Sequence, residues 1–285
     1  MTDELTDCAS LLAKIDAIDK ISDKAWKDSL SQRKLAELTF HDKDRDTKRI
    51  QETQSSDTYE KFYGNKKYYA VTGRSNKYVK DWIAKESKDK VFLDYACGNG
   101  GNAIYAAQKG AALSLGFDIS AVSVENARNA AASAGGDIRF FQADAENTKL
   151  PDNCIDVIVC SGMLHHLDLS YAFPELRRIL KPGGKILAVE ALDYNPFIKF
   201  YRLLTPDMRT EWEKAHILNM NDVKFASRFF IIGDINYWHV IGYIAGKFPP
   251  LFPLLDKIDR ALEKIPYIQR MAWIFTFVME KKVGA

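Results

Sequence analysis

The stretch Val91-Phe-Leu-Asp-Tyr95 followed by Ala96-Cys97-Gly98-Asn99-Gly100-Gly101 decides the fold of this chain. Five residues of apolar, β-branched and aromatic character read as a buried strand, the glycines as a tight turn, and Asn102 to Lys109 as the helix that follows. Glycines at such a turn let the backbone approach a ligand closely, and the helix start offers unpaired N–H groups. The bare pattern Gly98-x-Gly100-x-x-Ala103 serves dinucleotides as well as other ligands, and it is also met in plain tight turns.

Outward from this unit the pattern repeats. LSLGF (113–117), DIRFF (137–141), CIDVIVC (154–160) and KILAVE (185–190) are short apolar runs, separated by segments of helical length such as Ala121 to Ala134. Alternation of this kind predicts βαβ units and an α/β fold whose parallel sheet is buried on both faces. Lys181-Pro182-Gly183-Gly184 predicts a type II turn feeding the strand at Lys185. Two further strands are expected near 229–237 and 273–280, and a helix around Asn76 to Glu86 precedes the first strand.

Before this core, residues 9–40 place Leu11, Ile15, Ile18, Trp26, Leu30, Leu35 and Leu38 at helical spacings. Phe40 to Thr58 is polar and reads as an exposed connection or a mobile helix, and Tyr59, Phe62, Tyr63, Tyr68 and Tyr69 form an aromatic cluster. The expected division is a helical extension over 1–58 and the main domain over 59–285, with lid or acceptor-binding insertions at about 192–228 and 238–270. The aromatics Tyr194, Phe197, Tyr201, Trp212, Phe229, Tyr237 and Trp238 read either as core under loops or as a lid over an apolar acceptor.

Composition excludes several classes. With 40 basic against 38 acidic residues, the net charge of +2 gives neither a nucleic-acid footprint nor a polybasic membrane arm. An apolar fraction of 47% with 27% charged residues fits a globular protein with a full core. Cys8, Cys97, Cys154 and Cys160 form no CxxC pair, and MTDELTDCASLLAKID has no basic segment leading an apolar run, so a reduced, cytoplasmic setting is expected. Val240 to Leu255 is broken by Gly246, Lys247 and three prolines and predicts no membrane span. Its segment IGYIAGKFPPLFPLL reads as a buried cap helix, against peripheral contact with a membrane surface.

Three aspartates stand at successive strand ends: Asp94, Asp118 and Asp144. Ligands in open parallel sheets bind outside these carboxyl ends. Asp94, just before the glycines, would repel a pyrophosphate but can pair with an ammonium, and Asp118 can accept bonds from two ribose hydroxyls. Asp144 can take an adenine amino group, with Ala145 offering its N–H. A lone aspartate after a strand is otherwise a helix cap.

LDYACGNG (93–100), GFDIS (116–120), QADAENTKLP (142–151), CIDVIVCSGMLHHL (154–167) and LRRILKPGGKIL (176–187) together resemble the successive motifs of class I S-adenosylmethionine-dependent methyltransferases of the small-molecule, quinone and sugar type. The resemblance covers residues 59–190. It implies a Rossmann-like, doubly wound, mostly parallel seven-stranded sheet with a helical and aromatic lid after the fifth strand. It also implies that Asp94, Gly98 and Gly100 hold the methionine end of the cofactor, Asp118 and Ile119 the nucleoside, Asp144 and Ala145 the adenine, and that Ser161 lies beside the methionine portion. KKYYAVTGRS resembles the family's cofactor lid, which implies Tyr69 and Arg74 as further contacts. Ala96 departs from the family's usual glycine.

For a hydroxyl acceptor, a histidine near neutral pH suits proton removal, which makes His165 and His166 the candidate bases and Glu190 or Asp193 the group that orients one of them. Helix packing and a solvated loop are the alternatives. The adjacent histidines lack the i, i+4 spacing of a helical metal pair, and Cys97 has no activating neighbour, so neither a metal nor a thiol nucleophile is expected. The expected reaction is O-methylation of a sugar, phenol or natural-product hydroxyl, with C-methylation of a quinone or lipid-like ring as the alternative. From other classes, a nicotinamide-dependent oxidoreductase and a non-catalytic cofactor-binding protein remain.

Overall fold

The computed structural model describes residues 2–46, 50–51 and 66–283. Tyr59, Phe62 and Tyr63, and most of the 40–58 connection, lie outside the described residues.

Strands β1 (Val91–Tyr95), β2 (Leu113–Asp118), β3 (Ile138–Gln142), β4 (Ile155–Ser161), β5 (Leu180–Ala191), β6 (Ile231–Trp238) and β7 (Ile274–Glu280) form one sheet in the order β3-β2-β1-β4-β5-β7-β6. β1 to β5 pair in parallel, and β7 runs antiparallel to both of its neighbours. β1 and β2 are buried at every position, which explains why they read as unbroken apolar runs rather than alternating ones. Tyr95 of β1 meets Phe117 of β2 edge-on and Phe117 meets Phe141 of β3 at a tilt, with ring centroids 4.7 and 5.7 Å apart. Burying a side chain of that size stabilises the fold by roughly 1.5–3 kcal/mol. Gly183 has φ +75°, the conformation that the third position of the type II turn requires, and residues 181–184 bulge out of register between Leu180 and Lys185.

The N-terminal segment forms α1 (Thr2–Asp19), α2 (Asp23–Ser29) and α3 (Gln32–Arg45). Ser22 and Ser31 cap the second and third of these through their hydroxyls. Leu11, Ile15 and Ile18 join the core of the sheet, while Trp26, Leu30 and Leu38 enclose Ile119. Of the two readings of the polar stretch, an exposed connection or a helix, its first residues take the helical one: Phe40 to Arg45 are the last turns of α3, where Asp42 accepts from the Ser120 hydroxyl and the Arg45 carbonyl from the Asn126 amide.

Helices α4 (Lys66–Tyr69) and α5 (Gly73–Glu86) lead into β1, α6 (Gly101–Gln108) follows the glycine turn, α7 (Ala121–Ala131) follows β2, and α8 (Leu169–Ile179) joins β4 to β5. After β5 come α9 (Pro196–Leu204), α10 (Glu211–Ala215) and α11 (Met220–Ala226), and between β6 and β7 lies α12 (Phe252–Leu262). The chain crosses from β1 to β2 and later returns to β4 on the other side of β1, and a crevice opens where the direction switches.

Candidate functional site

The crevice at the strand ends is lined by Ala96, Asp118, Ile119, Asp144, Ala145, Ser161, Gly162 and His166. Asp118 accepts bonds from the backbone N–H of Gly98 at 2.9 Å and of Ser120 at 3.0 Å, so its carboxylate fixes the glycine turn against the tip of β2. At Gly100, φ is +77° and an added Cβ would stand 2.6 Å from Phe140, so both conformation and space demand glycine. Gly98 also has positive φ. Ala96, with φ +54°, holds the same kind of conformation while carrying a methyl.

Asp94 does not line this crevice. It is 2% exposed and accepts from the Asn102 side chain at 3.2 Å and from Ala103 N–H at 3.3 Å, closing the first turn of α6. Burial, partly offset by those bonds, pushes its carboxyl up to about 7. Arg74 is likewise placed elsewhere: it bonds Asp256 at 2.5 Å and both oxygens of Glu263 at 2.6 and 2.7 Å, tying α5 to α12. Tyr69 faces a different cavity, with its ring 5.1 Å from that of Trp273. Both expectations followed the order of the chain, whereas α12 folds back to claim Arg74 from far along the sequence.

Side chains from α3 occupy the crevice. Lys34 Nζ lies 2.6 Å from Asp144 and 2.9 Å from Glu146, Arg33 also bonds Glu146, and the Arg45 guanidinium stands over Gly98. Free space in the crevice is only about 80 Å³. The acidic side chains that would face a cationic nucleoside are thus met here by a lysine and an arginine of the same chain.

The two histidines diverge. His165 Nδ1 is 2.6 Å from Glu190 Oε2, while Glu190 Oε1 accepts from the N–H groups of Met163 and Leu164 at 2.9 and 2.8 Å. A carboxylate at Nδ1 requires the proton there, which leaves Nε2 as the free acceptor. That nitrogen is 3.9 Å from Glu213, on a cavity of about 650 Å³ between α4, α9, α10 and the segment between β6 and β7. Burial alone would depress the His165 imidazole, but the charge and hydrogen bond of Glu190, with help from Glu213, raise it.

His166 turns toward the crevice at the strand ends, 3.0 Å from Glu37. Burial and the neighbouring His165 drive it down to about 3, against the pull of Glu37. The rings of the pair are 4.3 Å apart, so cavity and crevice meet at these two residues. Donor atoms of Glu37, His41 and His166 lie within 4.8 Å of one another, and so do those of His165, His166 and Glu213, so the adjacent histidines bring a nitrogen each to one point without the i, i+4 spacing on which their exclusion as a metal pair rested.

Asp193, the other candidate orienting group, pairs instead with Lys199 at 2.8 Å and Arg202 at 3.3 Å. Cys97 is held well above a reactive thiol by burial, with Asp94 and Asp118 adding to the shift.

Sequence reasoning missed Glu213, Arg202, Arg209, Glu37 and His41. Thr210-x-x-Glu213 carries the signature of a capping box, and Thr210 does cap α10 by accepting from the Glu213 N–H at 3.1 Å. The Glu213 carboxylate, however, serves the cavity beside His165 and Arg209. No local signal distinguishes the two uses.

Residues 93–188 match the family model of a methyltransferase domain. Among curated relatives, a demethylmenaquinone methyltransferase of Thermus thermophilus is 32% identical over 110 residues, 38% of this chain and 50% of that protein. A 27-O-demethylrifamycin SV methyltransferase of Amycolatopsis mediterranei is 37% identical over 97 residues, 33% of this chain and 36% of that one. The chain thus spans half or less of the length of these relatives. A solved putative sarcosine dimethylglycine methyltransferase from Galdieria sulphuraria superposes with a TM-score of 0.54 at 15% identity, covering 73% of this chain and 86% of that one. The [4+2]-cyclase SpnF does so at 0.53 and 21%, covering 73% and 81%. At such identities the likeness is one of fold. Residues 93–188 thus carry the likeness of a methyltransferase domain, on a sheet whose order and crevice are those described above.

Proposed function

We propose that the protein transfers a methyl group from S-adenosylmethionine to a small-molecule hydroxyl, with His165 as general base and Glu190 as the residue that positions it. The observation that carries this reading is the free Nε2 of His165 facing the 650 Å³ cavity while the adjacent His166 faces the cofactor crevice. A base belongs between acceptor and cofactor; both rings meet a buried carboxylate at Nδ1, Glu190 for His165 and Glu37 for His166, but only the His165 ring of this pair lines the larger cavity, and its value is raised where that of His166 is driven down.

S-adenosylmethionine supplies an electrophilic methyl on a sulfonium. The residues present fit it: the turn at Gly98 and Gly100 admits close backbone approach, and Asp118, Ile119, Asp144, Ala145 and Ser161 line the crevice beside it. Ligand sites usually need roughly 300 Å³ or more, so Lys34 and Arg45 have to swing out of the crevice before the cofactor enters. Asp94 acts beneath the site, holding the start of α6.

On the acceptor side, Tyr201, Ile217, Val240, Ile241, Met271 and Trp273 give the cavity apolar walls that exclude water. His165 Nε2 takes the hydroxyl proton as the oxygen–methyl bond forms, and Glu190 stabilises the resulting imidazolium. Alignment supplies much of the rest, since methyl displacement needs the two reactants in line.

C-methylation of a quinol-type ring is the second reading, favoured by the apolar walls and by the activity named for the Thermus relative. The same base would remove a ring hydroxyl proton, the ring carbon beside it would take the methyl as the sulfur–methyl bond breaks, and loss of that carbon's own proton, with the oxygen reprotonated, would restore the aromatic ring. Incubation with S-adenosylmethionine carrying a labelled methyl, against a panel of phenols, glycosides and quinols, tests both. Labelled methyl ethers support the first reading and ring-methylated products the second. No transfer to any member, by protein shown to bind the cofactor, counts against methyl transfer to this class of acceptor.

A further inference from the structure

Large apolar side chains are exposed in two places that flank the same cavity. On α9, Phe197, Phe200, Leu203 and Leu204 are between 63 and 77% exposed. Between β6 and β7, Phe248, Leu251, Leu254 and Tyr267 are between 44 and 80% exposed. The second stretch contains IGYIAGKFPPLFPLL, which therefore forms no buried cap helix: its first half is two 3-10 turns and its second half is the start of α12. Phe197, Ile244, Lys247 and Ile268 both line the cavity and stand exposed, so they mark its mouth between the two stretches. Patches of this extent on a soluble protein mark contact surfaces.

Charge identifies the partner. Over residues 194–204 and 241–271, the exposed charged residues are Lys199, Lys247, Lys257, Arg260, Lys264 and Arg270, all of them basic. The acidic residues of the same segments are turned inward. Asp256 and Glu263 bond Arg74, and Asp259 accepts from the N–H groups of Ile241 at 2.8 Å and Gly242 at 2.9 Å. Lys199 pairs with Asp193 at 2.8 Å and Arg260 with Asp256 at 3.0 Å, so within these segments a chain with nearly balanced charge presents apolar side chains together with Lys247, Lys257, Lys264 and Arg270 as further exposed cations. That is the pattern of a surface that sinks apolar groups into a bilayer and meets anionic headgroups with lysine and arginine.

We infer that the α9 and α12 face docks on an anionic lipid surface, with the mouth of the acceptor cavity against the membrane. Contact with the bilayer stands on the surface alone. Delivery of a lipid-soluble acceptor through the mouth rests on the methyl-transfer reading as well.

The test is sedimentation of the full chain with phosphatidylcholine vesicles and with vesicles that also contain phosphatidylglycerol, with S-adenosylhomocysteine affinity measured on the same preparations. Binding to the anionic vesicles, weakened by salt and reduced at least tenfold by Phe200→Asp with Leu254→Asp, is the expected result. Neither residue lines the cavity, so cofactor affinity stays unchanged in that variant. Should it fail to fold, Lys257→Glu with Lys264→Glu decides the matter, with about a fivefold loss expected for each charge removed. Absence of wild-type binding to anionic vesicles, equal binding by the variants, or a dimer in solution that the aspartates dissociate without any vesicle binding would each overturn the inference. Vesicle binding without cofactor affinity would sink the methyl-transfer reading and leave the docking surface standing.

Discussion

His165 and Glu190 are joined by a 2.6 Å contact between Nδ1 and Oε2, and the same carboxylate holds the backbone of Met163 and Leu164, so one buried group fixes both the ring and the loop that carries it. General-base removal is worth about 10²–10⁴-fold in rate. His165→Ala is expected to lower kcat within that range while S-adenosylhomocysteine affinity is unchanged. Steady-state kinetics beside calorimetry check it, and a normal kcat would rule His165 out as the base.

The pH profile follows from the same pair. As a base, His165 has to be neutral, and its value is raised, so kcat/KM should climb with pH through a midpoint above the usual 6.5. Stability moves the opposite way: the gain from the charged His165 is complete below the unfolded value and disappears as pH rises through the raised one. Glu190→Gln should shift the kinetic midpoint downward. An unmoved midpoint would mean that another group controls the profile.

Arg74→Ala separates a structural from a cofactor role. With its side chain 17% exposed and two carboxylates left partly buried, the loss is expected at about 1–3 kcal/mol, discounted for residual solvent screening. Denaturant unfolding should show the lower midpoint, with cofactor affinity retained. A variant of full stability that fails to bind cofactor would restore Arg74 to the lid.

Ala96 carries a methyl in left-handed backbone, a conformation costing about 1–2 kcal/mol, part of which glycine would return as unfolded-state entropy. Ala96→Gly should therefore raise stability by up to about 1 kcal/mol, measured by thermal unfolding. A drop in stability would contradict the strain assigned to this position.

The sheet was legible because its strands are short, apolar and buried on both faces, so β1 falls at the expected residues 91–95 and the later strands within a few positions of theirs. The glycine turn was legible for a similar reason, since Gly100 has no alternative residue. What the pattern could not carry were contacts between distant segments. Lys34 with Asp144, Arg74 with Glu263, and Glu213 with His165 each join elements far apart in the chain, and nothing in their local spacing announces the partner. Asp94 shows the converse: its place at a strand tip suggested a ligand, but the nearer N–H groups of α6 claim it.

Lys34 sits where the nucleoside is expected to meet Asp144, so its removal frees an acidic contact in the crevice. Lys34→Ala is expected to tighten S-adenosylhomocysteine binding several-fold, read by calorimetry. Weaker binding would mean that Lys34 contacts the cofactor instead of blocking it.

Titration calorimetry of the full chain with S-adenosylhomocysteine, in wild-type and Asp118→Ala forms, bears most directly on the crevice as the cofactor site. One molecule bound per chain, with affinity falling about 10–100-fold when the Asp118 carboxylate is removed, is the predicted outcome. A folded wild-type chain that takes up no S-adenosylhomocysteine, or an Asp118→Ala variant that binds it equally well, would contradict the account.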